Sequence, residues 1–333
     1  MSLLGYGSAS SVYEGKAVGW GEVGYEGHAG VWDIATSNFV DLNPNISDYS
    51  WAQDTHDQSE VGQVWLPTPE FPGGQPHAAL WHGTADSYVD LNPPTFPHSY
   101  AYGGDGGYQV GVACNGVFLS HAALWHGTAD SYVDLNPAGA SESGANDMFG
   151  GVEGGWADID GTTHAGLWTG TSDSWVDLGP GAISVGGMYG HRQVGNDPYG
   201  ACIWNGTSSG RVELGSGSAV SIYDHWEVGN FTPSQPNGWG PGDHACIWND
   251  TAVSRVDLGA ILLNSYNLPS SYADGVYASG GEIWVAGNGV NPEYGGYAVL
   301  WHYAPDPVPE PSSLLVLLLA LPAVAWRFRR MPG

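Results

Sequence analysis

The sequence predicts an all-β fold, a seven-bladed β-propeller of four-stranded blades, and three observations lead to it. One phrase recurs seven times, anchored by Trp32, Trp81, Trp125, Trp168, Trp204, Trp248 and Trp301 at intervals of 49, 44, 43, 36, 44 and 53 residues. Two copies, His77 to Pro93 and His121 to Pro137, are identical over 17 residues, HAALWHGTADSYVDLNP. Inside a copy the apolar residues alternate, as in Tyr108-Gln-Val110-Gly-Val112, which is the period of a strand rather than of a helix.

Each copy reads as one supersecondary unit. In the third, strands are expected over residues 99–102, 109–113, 121–125 and 132–135, punctuated by Gly, Asn, Asp and Pro. Four short strands in a period of roughly 40 to 50 residues is the pattern of propeller blades. The seven units occupy residues 1–304. The last one lacks a Val-Asp-Leu strand after Trp301 and runs into Pro305 and Pro307. Ser2-Leu-Leu-Gly5 precedes Ser8-Ala9 much as Asp177-Leu178-Gly179 precedes the next unit, so the N-terminal strand is expected to complete the last blade. Such closure removes an open sheet edge. A linear stack of the units is the alternative.

The His-Ala pair, the aromatic pair after it and the Asp-Leu-Gly ending resemble the extracellular HAF repeats of bacteria, over most of residues 1–304. Gly200 and Tyr297 replace the His, and Leu124 or Val31 stands where that family has Phe. The resemblance implies a propeller-like extracellular repeat protein and no particular activity.

The tail carries a second resemblance. Val308-Pro-Glu-Pro311 precedes an apolar run from Leu314 to Trp326, and Arg327, Arg329 and Arg330 follow. Pro309, Glu310 and Pro311, the apolar run and the basic end are similar to the PEP-CTERM sorting signal, also labelled an ice-binding-protein C-terminal domain. This implies a Pro-rich linker with the sorting motif over 305–311, a short transmembrane helix with a basic end over 312–330, and an exosortase-type enzyme as partner. It also implies an exported protein of the cell surface or exopolysaccharide matrix, anchored at least transiently in the membrane. The apolar run is shorter than the roughly 20 residues of a spanning helix, although the arginines and Trp326 suit a membrane boundary. Met1 to Ser11 shows no basic start followed by an apolar stretch, which conflicts with export. A start site placed too far downstream is the expected explanation.

Charge limits the partners. Over residues 1–311 only Lys16, Arg192, Arg211 and Arg255 are basic, against all 34 acidic residues. Nucleic acid is excluded and anionic lipid disfavoured, because phosphate binding needs clustered cations. Divalent cations, cationic polymers and neutral sugars stay open. Cys202 and Cys246 fill a repeat slot held elsewhere by Gly30, Ala79, Ala123, Gly166 and Val299, so they read as small core residues. Cys114 is left as an unpaired thiol.

Candidate chemistry mostly resolves into scaffold. His28, His77, His121, His164 and His244 recur once per unit, so they are expected to hydrogen-bond locally rather than converge on one ion. Asp41, Asp90, Asp134, Asp177 and Asp257 of the Val-Asp-Leu phrase also read as scaffold, because a site seldom repeats in every unit. His82 and His126 are expected to face turns. Gly206-Thr-Ser-Ser-Gly210 matches a nucleophile-elbow pattern, but no helix follows it and a hairpin turn is expected. Asp158-Ile-Asp160-Gly161 is half of a calcium loop without its remaining ligands, and a turn role is expected. No catalytic residue, metal site or cofactor is assigned, calcium being the one ion left in question.

Variable loops are where specificity is expected. The longest connections between second and third strands span 65–76 and 230–243, with a shorter one near 291–294. Trp65, Phe71, Trp239 and Tyr294 are therefore expected to form an aromatic rim that binds glycan or another envelope component. Packing of each aromatic under its own loop is the alternative. The function read from the sequence is non-enzymatic, a displayed repeat protein. The alternative is a secreted hydrolase or lyase acting on polysaccharide, which acidic and basic groups with shifted pKa values in the central channel would favour.

Overall fold

This computed structural model describes residues 1–116, 119–179, 181–233, 242–293 and 295–304. The chain divides into two units, Met1–His302 and Tyr303–Gly333. The expected sorting motif and membrane helix, with Pro309, Glu310, Pro311, Arg327, Arg329 and Arg330, lie outside the described residues, as do Trp239 and Tyr294. Among the described residues no helix is long and apolar enough to cross a membrane.

Met1–His302 is all-β and propeller-like. The third repeat folds as His98–Asp105, Tyr108–Cys114, Ser120–Trp125 and Val133–Asp134, the four strands expected. Tight turns join the first two strands of each unit, with paired left-handed glycines at Gly106-Gly107 and Gly150-Gly151, the geometry of a two-residue hairpin loop. Hydrogen bonds organise the strands into five four-stranded sheets and one of seven strands. The larger sheet arises because Ser2–Tyr13 works on two sides. Ser2 to Tyr6 pair with Gly295–Tyr303, placing Ser2 opposite Leu300 and Leu3 opposite Val299, whereas Gly7 to Tyr13 pair with Lys16–Val23.

Second strands are covered on both faces, Gln109 to Ala113 all being buried, because each sheet is sandwiched between its neighbours. The cores lie between sheets. Leu80 and Leu91 of the second repeat pack with Ala101, Ala123 and Trp125 of the third. The anchoring tryptophans of all seven copies are buried, and each brings one of the largest apolar surfaces a side chain can remove from water. The innermost strands touch in cyclic order, Ser270–Ser279 meeting Ser2–Tyr13. Ala9, Val12 and Trp32 fill that seam with Tyr277, Ala286 and Leu300.

One short element interrupts the run of strands. Gly259–Tyr266 is helical and ends at Asn267, whose left-handed backbone lets its N–H reach the Leu263 carbonyl. Eight residues show too little of the helical period to declare themselves in the sequence, and Leu262, buried against Leu258 and Leu268, fixes the helix by packing.

A bulge recurs in the innermost strands, between Ala52 and Asp54 in the second repeat and between Ala145 and Asp147 in the fourth. Opposite it stands a glycine. A Cβ on Gly62 would overlap the Trp51 carbonyl oxygen, and one on Gly155 that of Gly144. The close approach requires glycine, and the bulge re-aims the residues that follow.

Candidate functional site

The innermost strands enclose a passage whose width changes along its length. Its mouth is a cavity of about 470 Å³ walled by Ser10, Gln53, Tyr102 and Asp274, each of them the extra residue of its strand's bulge. One residue further along, among Ser11, Asp54, Asp147 and Ser221, the space shrinks to about 70 Å³. The strands then end in a ring of side chains. Tyr13, Tyr277, Tyr223, Tyr189 and Phe149 follow one another with ring centroids 4.4 to 5.1 Å apart, and His56, 4.5 Å from Tyr13, continues the ring toward Asp105.

Two carboxyls occupy the narrow part. Asp54 accepts from the Ser11 hydroxyl at 2.7 Å and from the Gly104 amide at 3.2 Å. Asp147 accepts from the amides of Met148 and Met188, both at 2.7 Å. Burial pushes the Asp54 carboxyl up from its ordinary value, and it pushes Asp147 well above, with the charge of Asp54 adding to the effect. At the mouth burial raises Asp274 to about 7. Although enclosed by protein, all three keep part of their surface open to the passage, so they can exchange protons with solvent. The described basic side chains contact other groups: Lys16 pairs with Glu60, Arg192 with Glu227 and Asp250, and Arg211 with Asp197 and Glu213. Arg255 lies over the Phe231 ring.

Beside the mouth runs a groove of about 670 Å³, lined by Trp20, Tyr25, Tyr49, Trp51 and Trp65 together with Glu22 and Glu26. Trp20 and Trp51 wall both cavities, so groove and mouth adjoin across the two indoles. The two indoles meet edge to face at 6.3 Å, and Trp51 Nε1 donates to the Ser10 hydroxyl at 2.9 Å. The Glu26 carboxylate beside the Tyr49 phenol raises its pKa. Flat apolar faces beside fixed polar groups match the faces and edges of sugar rings.

Of the two expected rim residues among the described residues, Trp65 and Phe71, the structure brings Trp65 into this groove. Trp65 belongs to the strand Ser59–Leu66 and sits opposite Pro76, not in the connection where the sequence placed it. Phe71 is half exposed and outside the groove lining, its amide and carbonyl both tied to Thr68 in the turn. Trp20, Tyr25, Tyr49 and Trp51 went unrecognised. Their positions fall outside the repeated phrase, and Trp20 and Trp51 come together only when the first two sheets pack.

The repeated residues are scaffold, as expected. His28, His77, His121, His164 and His244 each face the Asp of their own copy, Asp41, Asp90, Asp134, Asp177 and Asp257, with Nδ1 2.8 to 2.9 Å from a carboxylate oxygen. The same Asp receives an amide two residues on in four copies, Asn92 in the second. The Asn92 carboxamide oxygen then accepts from Ser99, whose hydroxyl accepts from the Ala78 amide, tying one sheet to the next. Where Gly200 replaces the His, Arg211 bridges Asp197 and Glu213 instead. Where Tyr297 replaces it, the ring stacks on Tyr6 and their hydroxyls lie 3.0 Å apart. A further repeated device escaped notice in the sequence: Glu60, Gln109, Glu153, Gln193 and Glu227 accept the amides of Gly83, Gly127, Gly170, Gly206 and Asp250.

Other motifs resolve as turns. Ser208–Gly210 is a 3₁₀ turn like Ala85–Ser87, and Asp160-Gly161 is a left-handed hairpin pair. His82 and His126 are exposed, the latter stacked on Tyr108 at 4.5 Å. Cys202 and Cys246 are free and buried, which pushes their thiols up, Cys202 to about 12.

No family model and no curated protein matches the chain. Solved structures similar to parts of it include TolB from Acinetobacter baumannii, at 11% identity over 73% of this chain and 51% of that one, with a TM-score of 0.40. Puromycin hydrolase, as an S511A mutant complexed with PGG, shares 12% identity over 92% and 46%, with a TM-score of 0.41. A mutant Trypanosoma rangeli sialidase displaying trans-sialidase activity shares 11% over 90% and 54%, at 0.40. The chain spans about half the length of these structures.

Proposed function

We propose that this protein is a seven-bladed propeller, exported and displayed at the cell surface or in an exopolysaccharide matrix, that binds neutral glycan without chemical turnover. The blade count is supported by the seven buried tryptophans and by Ser2–Tyr13, which is the outer strand of one sheet in its first half and the inner strand of another in its second. Export and exosortase-type sorting are supported by the tail sequence from Val308 to Arg330.

The observation that carries the binding function is the groove of Trp20, Trp51, Trp65, Tyr25 and Tyr49, rimmed by Glu22 and Glu26 and adjoining the channel mouth. Stacking on two or three of these rings contributes roughly 0.5–1.5 kcal/mol per ring beyond the area it covers. Titration of the full-length protein with a panel of neutral and acidic polysaccharides, read by calorimetry, is expected to show saturable binding to neutral chains, weakened at least tenfold by Trp65→Ala. Equal binding by the variant, or silence across the panel, overturns the reading.

A hydrolase is the second reading, favoured by Asp54 and Asp147, two neighbouring carboxyls of raised pKa in the passage. Release of reducing ends, abolished by Asp147→Asn, would replace the binding function with catalysis.

A further inference from the structure

The ring at the narrow end of the passage takes one residue from each innermost strand, and five of its seven members are aromatic. His56 and Asp105 interrupt it on adjacent strands, and Asp57 follows His56 in the hairpin turn. We propose that His56, Asp57 and Asp105 form a binding site for a divalent transition-metal ion, of which zinc is the type.

Spacing is the first support. One ligand atom from each residue lies within 4.8 Å of the other two. His56 Nδ1 is 3.3 Å from Asp57 Oδ2 and 3.4 Å from Asp105 Oδ1. An ion bound tetrahedrally with bonds of about 2.0–2.1 Å holds its ligands about 3.3 Å apart, so little movement is needed to receive it. The second support is the state of the nitrogen. His56 Nδ1 is covered yet makes no hydrogen bond, to these carboxylates or to anything else described, and an orphaned covered polar atom asks for a partner. The five repeated histidines differ on this point. Each directs Nδ1 to a single carboxylate at hydrogen-bonding distance, a pair that is complete without an ion.

The surroundings fix the ligands and leave their charge unopposed. Gly150 donates its amide to Asp105 Oδ2 at 2.6 Å, which leaves Oδ1 for His56. Tyr13 packs against the imidazole. Asp54 and Asp147 share the cavity that His56 lines, and the described lysine and arginines contact other groups, so no described cation opposes Asp57 and Asp105. Nitrogen plus two carboxylates suits zinc, cobalt or manganese better than calcium, which takes oxygen ligands throughout. Asp57 is exposed, so a fourth position is open to water or to a ligand from solution.

The test uses full-length protein stripped of metal by chelation and then titrated with zinc by calorimetry and with cobalt by visible absorption. One equivalent bound with a Kd below about 10 μM, and an intense cobalt band of the tetrahedral type, are expected. Asp57→Asn, in an exposed turn, and His56→Gln should each weaken zinc at least tenfold, whereas His77→Ala, in one of the repeated pairs, should leave it within twofold. Absence of a stoichiometric site, or binding that Asp57→Asn leaves unchanged, would overturn the assignment.

Discussion

The outer parts of the sheets and the lining of the passage obey opposite rules. Outside, His121 and Asp134 repeat the geometry of His77 and Asp90 to the same 2.9 Å, and the turns at Ala85–Ser87 and Ala129–Ser131 agree within two degrees in the backbone of the threonine before them. Along the passage the equivalent positions hold Ser11, Asp54, Asp147 and Ser221, then a tyrosine in most strands and a histidine or aspartate in two. Repetition marks the residues that join one sheet to the next. Chemistry collects where the repeat is broken, because a ring of identical groups would set like charges against each other while a varied ring can bring unlike groups together.

Three experiments bear on that contrast. The largest effect is expected at one of the scaffold's closest backbone approaches: Gly155→Ala puts a methyl into the Gly144 carbonyl and should cost roughly 3 kcal/mol or more, by the scale of overpacked cores. Urea unfolding checks it, and a loss under about 1 kcal/mol would mean that the bulge can slip.

Next comes Asp274, whose carboxyl is raised to about 7 by burial. A carboxyl raised in the folded state holds its proton there longer than in the unfolded chain. Its contribution to stability is full below about pH 4 and lost as the pH climbs to about 7. Asp274→Asn should therefore flatten the decline in stability between pH 5 and 8 and leave the variant more stable than the parent at pH 8. A parallel decline in both proteins would place the effect elsewhere.

Smallest is the outer pair. His121→Ala, Asp134→Asn and the double variant should give a coupling of only about 0.5–1 kcal/mol in a double-mutant cycle, since both side chains are substantially exposed. A coupling above 2 kcal/mol would give the repeated pair an energetic role beyond setting register.

Much of this scaffold was legible because each strand is short and each copy repeats the evidence. The tryptophan anchors, the scaffold role of the repeated His and Asp, the hairpin turns and the pairing of Ser2 to Tyr6 with the last repeat follow from comparing copies, whereas the pairing of each His with its Asp emerged only from the folded sheets. What comparison hides is whatever differs between copies. Trp20 and Trp51 are 31 residues apart in the sequence and join a groove only because two sheets pack. His56 and Asp105 are brought to 3.4 Å by strand ends that sit at the same depth on neighbouring sheets. Phe71 stays out of the groove because its long loop folds back on Thr68, and loop length in a sequence does not reveal such a turn.

The pairing of Ser2 with Leu300 also has a kinetic meaning. Most strand contacts here join neighbours within one repeat, so they form with little loss of chain entropy, but this one joins nearly the full length of the fold, and such contacts are the slowest to be found. The two edges it seals stay exposed until the search ends. Two nascent copies at high concentration have the same option of sealing each other, so the strand that completes one molecule is also the one through which molecules can exchange strands.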